Sequence, residues 1–288
     1  MMKINHPRNQ LRHISENSYA KVNIFLEILS KRNDGYHQIR TIYSEIELCD
    51  KMTFLLTKDG DVKFWSDIDL GKLSDNTVYK VASLIKERYK VKEGIEIRLE
   101  KKIPVGAGLG GGSSNAATTI KVLRNLWNLD LREDDMHSLA AKVGSDVNFF
   151  LIGGTAMGEG RGERVRILEP IDFEMILLVK PDYGIRSGDA YQLVTEYGDN
   201  QNWKYLLNEK DARYCFNRFD SVLRARYPEI NEIVDYMLEN GAIKAIVSGS
   251  GSTVIGFYDN QQTYDYHYDY YNEKGFWCCQ TKTKRRLQ

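Results

Sequence analysis

Cysteine is scarce in this sequence, and the few cysteines form no recognisable pattern. They are Cys49, Cys215, Cys278 and Cys279, and their spacings match neither a CxxC pair nor a zinc-binding set. A chain of this length can form a core without disulfide bonds. Free thiols in a reducing cytoplasm are therefore the simplest interpretation.

Net charge and long apolar runs are also absent. The 40 Lys and Arg residues balance 40 Asp and Glu residues, which argues against a large electrostatic footprint for nucleic acid. The basic cluster at residues 282–286 (KTKRR) predicts a solvated tail. Residues 1–13 lack the apolar run of a signal peptide, and residues 175–179 (MILLV) are too few to span a bilayer. We expect a cytoplasmic protein that binds neither membrane nor nucleic acid.

Glycine, by contrast, is concentrated in residues 104–118 (PVGAGLGGGSSNAAT). Residues 95–103, just before this stretch, alternate Ile and Leu with charged side chains, which predicts a half-buried strand. Backbone N–H groups that no Cβ shields bind anions well, and the positive end of a helix adds to the attraction. The order of strand, glycine loop and helix therefore predicts a phosphate-binding loop.

The helix after the glycines is indicated by an apolar face. The residues of this face are Ala116, Ile120, Leu123 and Trp127. Their spacing is that of an amphipathic helix, and Ser113 or Ser114 stands at the expected N-cap.

Two other glycine motifs overlap this loop. A Walker A loop requires a Lys before its Ser or Thr, but Gly111 is followed by Gly112. Gly106, Gly108 and Gly111 fit the G-x-G-x-x-G of dinucleotide-binding folds. That fold needs a strand soon after the helix, whereas residues 134–144 predict a second helix. A dinucleotide oxidoreductase is therefore a rival hypothesis that the order of elements disfavours.

The remaining pattern predicts a mixture of strands and helices. Expected strands lie within residues 19–50 (with a turn at Asp34-Gly35), 148–158, 164–169, 173–181 and 244–258 (with a Gly-Ser turn). Expected helices cover residues 75–89, 134–144 and 228–241. The tyrosine-rich segment is ambiguous, because Tyr264, Tyr268 and Tyr271 share one helical face while the alternation also allows a strand.

Five stretches, in this order along the chain, resemble the GHMP kinases, which include galactose, homoserine and mevalonate kinases. They are SYAKVNIFLEIL (18–29), KRNDGYHQIRT (31–41), PVGAGLGGGSSNAA (104–117), GSDVNFF (144–150) and SGSGSTVIG (248–256). Within that family the set is most similar to the 4-diphosphocytidyl-2-C-methyl-D-erythritol kinases. The resemblance implies an α+β fold of two domains with the active site in the cleft between them. The expected domains are a nucleotide-binding domain over residues 1–165 and a C-terminal domain over residues 166–288.

The resemblance also implies a reaction. We expect ATP-dependent phosphorylation of the 2-hydroxyl of 4-diphosphocytidyl-2-C-methyl-D-erythritol, a step of non-mevalonate isoprenoid precursor biosynthesis. Mg²⁺ is expected with ATP, and the sequence assigns no carboxylate ligand to it. Homoserine or mevalonate is the rival substrate, which the DGYHQI stretch argues against. A nucleotide-binding module without activity is a further alternative.

Lys21 and Asp146 are the catalytic residues that the resemblance implies. Asp146 would accept the proton of the substrate hydroxyl, and Lys21 would keep that carboxylate ionised and oriented. By spacing alone, an Asp after Gly-Ser is more typical of a turn or a cap. Lys21 lies in an apolar strand, where an unpaired buried charge would be costly, so a carboxylate partner is expected.

The resemblance further implies two groups of binding residues. The residues expected to hold ATP are Pro104, Val105, Gly106, Ala107, Gly108, Leu109, Gly110, Gly111, Gly112, Ser113 and Ser114, here called the glycine loop, together with Asn76. The residues expected to hold the substrate are Asn23, Tyr36, His37 and Tyr191. A tyrosine ring offers a stacking face and a histidine can hydrogen-bond to the cytosine edge. The turn at residues 248–252 is expected to face the substrate phosphates.

Overall fold

The computed structural model describes residues 13–286. The N-terminal segment whose composition argues against a signal peptide therefore lies outside the described residues, apart from His13. Between His13 and Arg286, no helix has both the length and the apolarity needed to cross a bilayer.

Two β-sheets form the framework of the described chain. Their strands are β1 (His13–Lys31), β2 (His37–Thr57), β3 (Val62–Ser66), β4 (Gly94–Glu100), β5 (Thr155–Gly160), β6 (Arg164–Ile167), β7 (Ile176–Lys180), β8 (Phe216–Asn217), β9 (Lys244–Val247), β10 (Val254–Phe257) and β11 (Trp277–Thr281). The larger sheet has the order β3-β4-β2-β1-β8, and β5 joins it along β2 and carries β6. The smaller sheet has the order β11-β7-β10-β9.

Helices cover the sheets. They are α1 (Thr77–Arg88), α2 (Gly111–Leu126), α3 (Glu133–Val143), α4 (Val147–Ile152), α5 (Ser187–Gln192), α6 (Asn202–Glu209), α7 (Phe219–Arg226), α8 (Pro228–Glu239) and α9 (Gln261–Glu273). The mixture of helices and strands agrees with the predicted α+β class. The helices expected over residues 75–89, 134–144 and 228–241 are confirmed as α1, α3 and α8.

A long hairpin of β1 and β2 is the central element of the larger sheet. The two strands pair from His13↔Leu55 to Lys31↔His37, and the turn between them falls at the predicted Asp34-Gly35. Gly35 adopts φ +83° there, which suits glycine. The Asp34 carboxylate accepts a hydrogen bond from the backbone N–H of Tyr36 at 3.1 Å. The hairpin thereby carries residues of both strands to a common face.

Helices α1 and α2 pack on the larger sheet and form its core. The buried face of α1 consists of the apolar residues expected there, Val78, Val81, Ala82 and Ile85. Ala116, Ile120 and Leu123 of α2 are likewise fully buried, which confirms the predicted amphipathic face. Each Val, Ile or Leu side chain among them contributes about 1.5–3 kcal/mol on burial.

Two local predictions were wrong. Helix α2 begins at Gly111 with Gly110 as its N-cap, so neither Ser113 nor Ser114 caps it. The φ of +72° at Gly110 turns the chain directly into the helix, which leaves both serines in its first turn. Residues 148–152 (NFFLI) form most of α4 rather than a strand. A short apolar run fits a buried helix as well as a strand, and here it packs against α2.

The tyrosine-rich segment forms helix α9, which settles the ambiguity of its pattern. Tyr264 and Tyr271 are buried, and Tyr268 is partly buried against the same apolar cluster. The hydroxyl of Tyr264 donates to the carbonyl of Ile176 at 3.1 Å, which ties α9 to the smaller sheet.

Candidate active site

A cavity of about 960 Å³ lies where the two sheets approach each other. The glycine loop lines it, and so do Tyr36, His37 and Tyr191. Lys21 and Asp146 lie between these two groups: a Cβ at Gly110 would be 3.1 Å from Lys21 Cγ, and the charge of Asp146 contributes to the raised pKa of Tyr191. The cavity therefore brings together residues that are separated by more than a hundred positions in the chain.

Backbone contacts fix the glycine loop between the two sheets. The N–H of Ile185 donates to the carbonyl of Gly106 at 3.1 Å, and the N–H of Lys21 donates to that of Leu109 at 3.0 Å. The Ser248 hydroxyl donates to the carbonyl of Gly108 at 3.2 Å. Residues from both parts of the molecule therefore hold the loop in place.

Close approach explains two of the glycines in this loop. Gly108 has φ +73°, and a Cβ there would collide with the backbone carbonyl of Ser248. Gly110 has φ +72°, and a Cβ there would lie 2.8 Å from ring atoms of Phe150. A side chain at either position would force the loop away from its support. Helix α2 begins directly after Gly110, so its free N–H groups lie at the cavity, as anion binding requires.

Most of the residues predicted to hold ATP reach the cavity. Every residue from Pro104 to Ser113 lines it, as does Asn76. Asn76 caps helix α1, since its side-chain oxygen accepts from the N–H of Val78 at 2.9 Å. Ser114 lies behind the loop, where its hydroxyl pairs with that of Ser18 at 2.7 Å.

A buried hydrogen-bond network around Asp50 holds the segment that leads into the glycine loop. The Asp50 carboxylate accepts from the backbone N–H groups of Lys102 and Ile103, both at 2.8 Å. It also accepts from Lys101 Nζ at 2.7 Å and Asn115 Nδ2 at 2.9 Å. Burial lowers the pKa of Lys101, and the attraction of Asp50 opposes that shift. These contacts join β2 to residues 101–103, which lead into the glycine loop, and to α2.

Lys21 and Asp146 form an ion pair, as expected. Lys21 Nζ lies 3.5 Å from Asp146 Oδ2, and the Lys21 side chain is 4% exposed whereas that of Asp146 is 31% exposed. The pKa of Lys21 is lowered because burial disfavours its charged form, and the Coulombic attraction of Asp146 opposes this. The cation is thus fixed in the wall, while the carboxylate faces the cavity.

Tyr43 is a third member of this group, and its involvement was not predicted. Its hydroxyl donates to Asp146 Oδ1 at 3.0 Å, and its side chain is 1% exposed. Burial raises the pKa of this hydroxyl well above its ordinary value, so it stays a hydrogen-bond donor. The sequence placed Tyr43 only within the strand region expected over residues 19–50, and the structure pairs it with Asn23 of β1.

Asn23 connects the ion pair to the hairpin. Its Oδ1 accepts from Lys21 Nζ at 2.5 Å, and its Nδ2 donates to the Thr41 hydroxyl at 2.7 Å. A Cβ at Gly249 would lie 3.0 Å from the same Oδ1, so the turn at residues 248–252 packs directly on this group. Gly249 and Ser250 of that turn line the cavity.

Aromatic side chains gather at the far end of the cavity. His37 stacks on Tyr191 with ring centroids 4.7 Å apart and an angle of 12° between the rings. Burial lowers the pKa of His37, and the charge of Lys31 lowers it further. Tyr36 is 53% exposed, and the guanidinium of Arg161 lies 4.6 Å from its ring centroid. The predicted residues therefore lie together. Beside them lie two cations, Lys31 and Arg161, which the sequence had not indicated as site residues.

A resident metal centre is not evident in the described part of the chain. Residues 13–286 contain no group of three or more His, Cys, Asp or Glu side chains placed to share an ion. Mg²⁺ commonly binds through one or two carboxylates together with nucleotide phosphates. Asp146 lines the cavity, but its carboxylate already contacts Lys21 and Tyr43, so the residues present fit a Mg²⁺ that accompanies ATP and is held mainly by the phosphates.

Comparison with known proteins identifies the family. The sequence model of "GHMP kinases N terminal domain" matches residues 76–154, and that of "GHMP kinases C terminal" matches residues 193–265. A 4-diphosphocytidyl-2-C-methyl-D-erythritol kinase of Caldanaerobacter subterraneus is 41% identical over 257 residues, which cover 84% of this chain and 87% of that protein. The kinase of the same name from Thermodesulfovibrio yellowstonii is 36% identical over 274 residues, which cover 91% and 94%.

Comparison with solved structures points to the same family as the sequence relatives do. A crystal structure of 4-(cytidine 5'-diphospho)-2C-methyl-D-erythritol kinase superimposes with a TM-score of 0.82 at 28% identity, covering 94% of this chain and 100% of that one. A homoserine kinase from Cytophaga hutchinsonii shares the fold with a TM-score of 0.72 at 16% identity, covering 99% and 98%. The chain therefore belongs to the GHMP kinases and, within them, to the 4-diphosphocytidyl-2-C-methyl-D-erythritol kinase family.

Proposed function

We propose that this protein transfers the γ-phosphoryl group of ATP to the 2-hydroxyl of 4-diphosphocytidyl-2-C-methyl-D-erythritol. The observation that carries this proposal is the position of the Lys21–Asp146 pair, between a phosphate-binding loop and an aromatic pocket in one cavity. Phosphoryl transfer requires a held nucleotide, an aimed hydroxyl and neutralised charge, and the three parts of this cavity supply these in turn.

Asp146 is the proposed general base. The substrate oxygen forms a bond to the γ-phosphorus, the bond from that phosphorus to the β,γ-bridging oxygen breaks, and ADP leaves. The hydroxyl proton passes to the Asp146 carboxylate, which Tyr43 and Lys21 hold in place through contacts of 3.0 and 3.5 Å. A carboxylate that is partly exposed to the cavity can accept that proton.

The glycine loop is the proposed ATP site. Its N–H groups and the N-terminus of α2 would contact the phosphates, with Asn76 near the adenine. Ser114 would not contact ATP directly. It would hold the loop in place through the hydrogen bond between its hydroxyl and that of Ser18. Mg²⁺ would be held by the ATP phosphates, and it would supply positive charge that stabilises the transferring group.

The aromatic end is the proposed site of the cytidine. Tyr36 and Tyr191 would stack on the base, and His37 would hydrogen-bond to its edge. Asn23 would contact the reacting end of the substrate. The proposed nucleotide-binding and C-terminal domains, residues 1–165 and 166–288, would then each contribute one side of the cavity. The four free cysteines support the cytoplasm as the proposed compartment.

The first test is ADP release with Mg-ATP over a substrate panel. The panel contains the cytidyl-methylerythritol substrate, homoserine, mevalonate and galactose. Turnover with the first substrate alone supports the proposal. Turnover with another member would keep the roles of the glycine loop and Asp146 but would discard the cytidine pocket. Folded protein that binds ATP but turns over no member would instead indicate a nucleotide-binding module.

A further inference from the structure

Two cations at the aromatic end of the cavity have unused hydrogen-bonding capacity. Lys31 and Arg161 both line the cavity. The Arg161 side chain is 29% exposed, and the nearest carboxylate contact of its guanidinium, to Glu163, is 4.0 Å long. Among residues 13–286, neither that guanidinium nor Lys31 Nζ donates a hydrogen bond to a protein oxygen, and the group of Arg161 that does donate, to Glu163 Oε2, is its backbone N–H. Both groups can therefore donate to a ligand.

Arg161 lies between the two ends of the proposed substrate site. Its guanidinium is 4.6 Å from the ring centroid of Tyr36, at the cytidine end. The next residue, Gly162, is buried, and a Cβ there would collide with the Tyr43 hydroxyl that contacts Asp146. The turn from β5 to β6 thus spans the distance from the base pocket to the reacting group.

Lys31 approaches the same region from the hairpin. It pairs with His37 at the end of β1 and β2, and its charge contributes to the lowered pKa of His37. Two acids face these cations, Asp34 and Glu163. Asp34 is already engaged by Arg32, whose Nη2 donates to Oδ2 at 2.8 Å, and Glu163 accepts the backbone N–H of Arg161 at 2.5 Å.

Any substrate that joins a cytidine to the reacting alcohol through a diphosphate must carry that anion through this region. A guanidinium presents several N–H donors in a planar fork that matches phosphate oxygens. We propose that Arg161, assisted by Lys31, binds the diphosphate of the substrate and thereby selects a cytidine diphosphate ester over an uncharged or smaller alcohol. This inference rests on the proposed function, because it assumes that the aromatic end holds the cytidine.

The test compares the binding of CDP with that of cytidine by calorimetry. The proteins are the wild type, Arg161→Gln, Arg161→Lys, and the control Arg164→Gln, which alters an exposed arginine of the same β-hairpin. Loss of a charge-assisted phosphate contact predicts that Arg161→Gln binds CDP about 10- to 100-fold more weakly. Its affinity for cytidine should stay unchanged, Arg161→Lys should recover part of the loss, and the control should match the wild type.

A structural role for Arg161 would weaken the binding of CDP and cytidine equally, and that result would overturn the inference. So would a wild type that binds CDP no more tightly than cytidine. If Arg161→Gln does not fold, the same comparison of CDP with cytidine is made with Arg161→Lys and Lys31→Gln. The inference is overturned if both of these variants prefer CDP over cytidine as strongly as the wild type does.

The substrate panel distinguishes failure of the inference about Arg161 from failure of the proposed function. Turnover of the cytidyl substrate by an Arg161→Gln variant with unchanged KM would reject the role of Arg161 alone. Absence of that turnover in the wild type would reject the proposed function itself.

Discussion

Lys21 shows how burial tunes a single residue in this site. Its ammonium is almost fully buried, and its partners are Asp146 at 3.5 Å and Asn23 at 2.5 Å. Desolvation lowers its pKa more than the ion pair raises it. A charge in such a place is retained only because its partners compensate for lost hydration.

We expect this lowered pKa to appear in the pH profile of kcat. If transfer requires the charged ammonium of Lys21, kcat falls as pH rises through its pKa, which lies below the ordinary value of about 10.4. The free energy of unfolding should rise with pH over the same interval, because the unfolded chain binds the proton more tightly. Steady-state rates and denaturation at a series of pH values measure both.

The matched variant for this profile is Lys21→Arg. A guanidinium keeps its charge throughout the range, so the alkaline limb should vanish even if the maximum rate falls. An alkaline limb of the same midpoint in Lys21→Arg would assign the titration to another group.

Replacing Asp146 tests the proposed base directly. Asp146→Asn keeps the size of the side chain but removes the proton acceptor, so kcat should fall about 10²- to 10⁴-fold. Binding of an ATP analogue should survive, since the glycine loop is unchanged. Asp134→Asn, an exposed carboxylate on α3, is the control and should keep full activity. Near-complete turnover in Asp146→Asn would reject the assignment.

At the scale of elements, the glycine loop combines glycines of two kinds. Gly108 has φ +73° and faces the backbone of Ser248, whereas a Cβ at Gly112 would meet only the Thr77 hydroxyl oxygen, at 3.6 Å. Gly112 lies in the first turn of α2, where a helical residue other than glycine is favoured. The same substitution should therefore have opposite effects at the two positions.

We expect Gly108→Ala to lower the free energy of unfolding by more than about 1 kcal/mol, since both the backbone conformation and the space oppose a side chain. Gly112→Ala should raise it by about 0.4–1 kcal/mol through the lower entropy of the unfolded chain. Denaturant titration of the two variants measures the difference. Equal effects would show that close packing does not hold the loop.

The elements themselves were predicted with uneven success. Helix α1 and the β1–β2 hairpin were evident because their apolar periods and the Asp34-Gly35 turn are local signals. The NFFLI segment was assigned to the wrong class because its four consecutive apolar residues carry no period. Only its packing against α2 and the ring contact of Phe149 with Tyr43, at 4.8 Å between centroids, make it a helix.

At the scale of the whole molecule, the larger sheet contains late parts of the chain. β8 pairs with β1 at Phe25↔Phe216, and Arg218 donates to the fully buried carboxylate of Glu27 at 2.7 Å. Near the C-terminus, Thr283 forms a bridge with Ile46 of β2. The sheet is therefore complete only when the C-terminal part of the chain is in place.

This interdependence predicts a single cooperative unfolding transition. Two single-tryptophan variants report on it, one retaining Trp127 beside the larger sheet and one retaining Trp277 in β11 of the smaller sheet. Their fluorescence transitions in urea should coincide with each other and with far-UV circular dichroism. Two separate midpoints would show that the proposed domains unfold independently.

The sequence alone determined the residue types and their local order. Glycines before a helix, a lysine in an apolar strand and an aspartate after Gly-Ser were all visible, and with the family resemblance they pointed to the kinase fold and to Lys21 and Asp146. These features depend on neighbours within a few positions, or on motifs that keep their order along the chain.

Only the tertiary structure decided which side chains meet. Tyr43 reaches Asp146 because the β1–β2 register fixes the direction of its ring, and Arg161 reaches Tyr36 because β5 pairs with β2. Ser114 turns away from the cavity because α2 begins three or four residues earlier than its sequence suggested. Contacts between distant residues depend on strand register and helix packing over the whole molecule, and no local pattern encodes those distances.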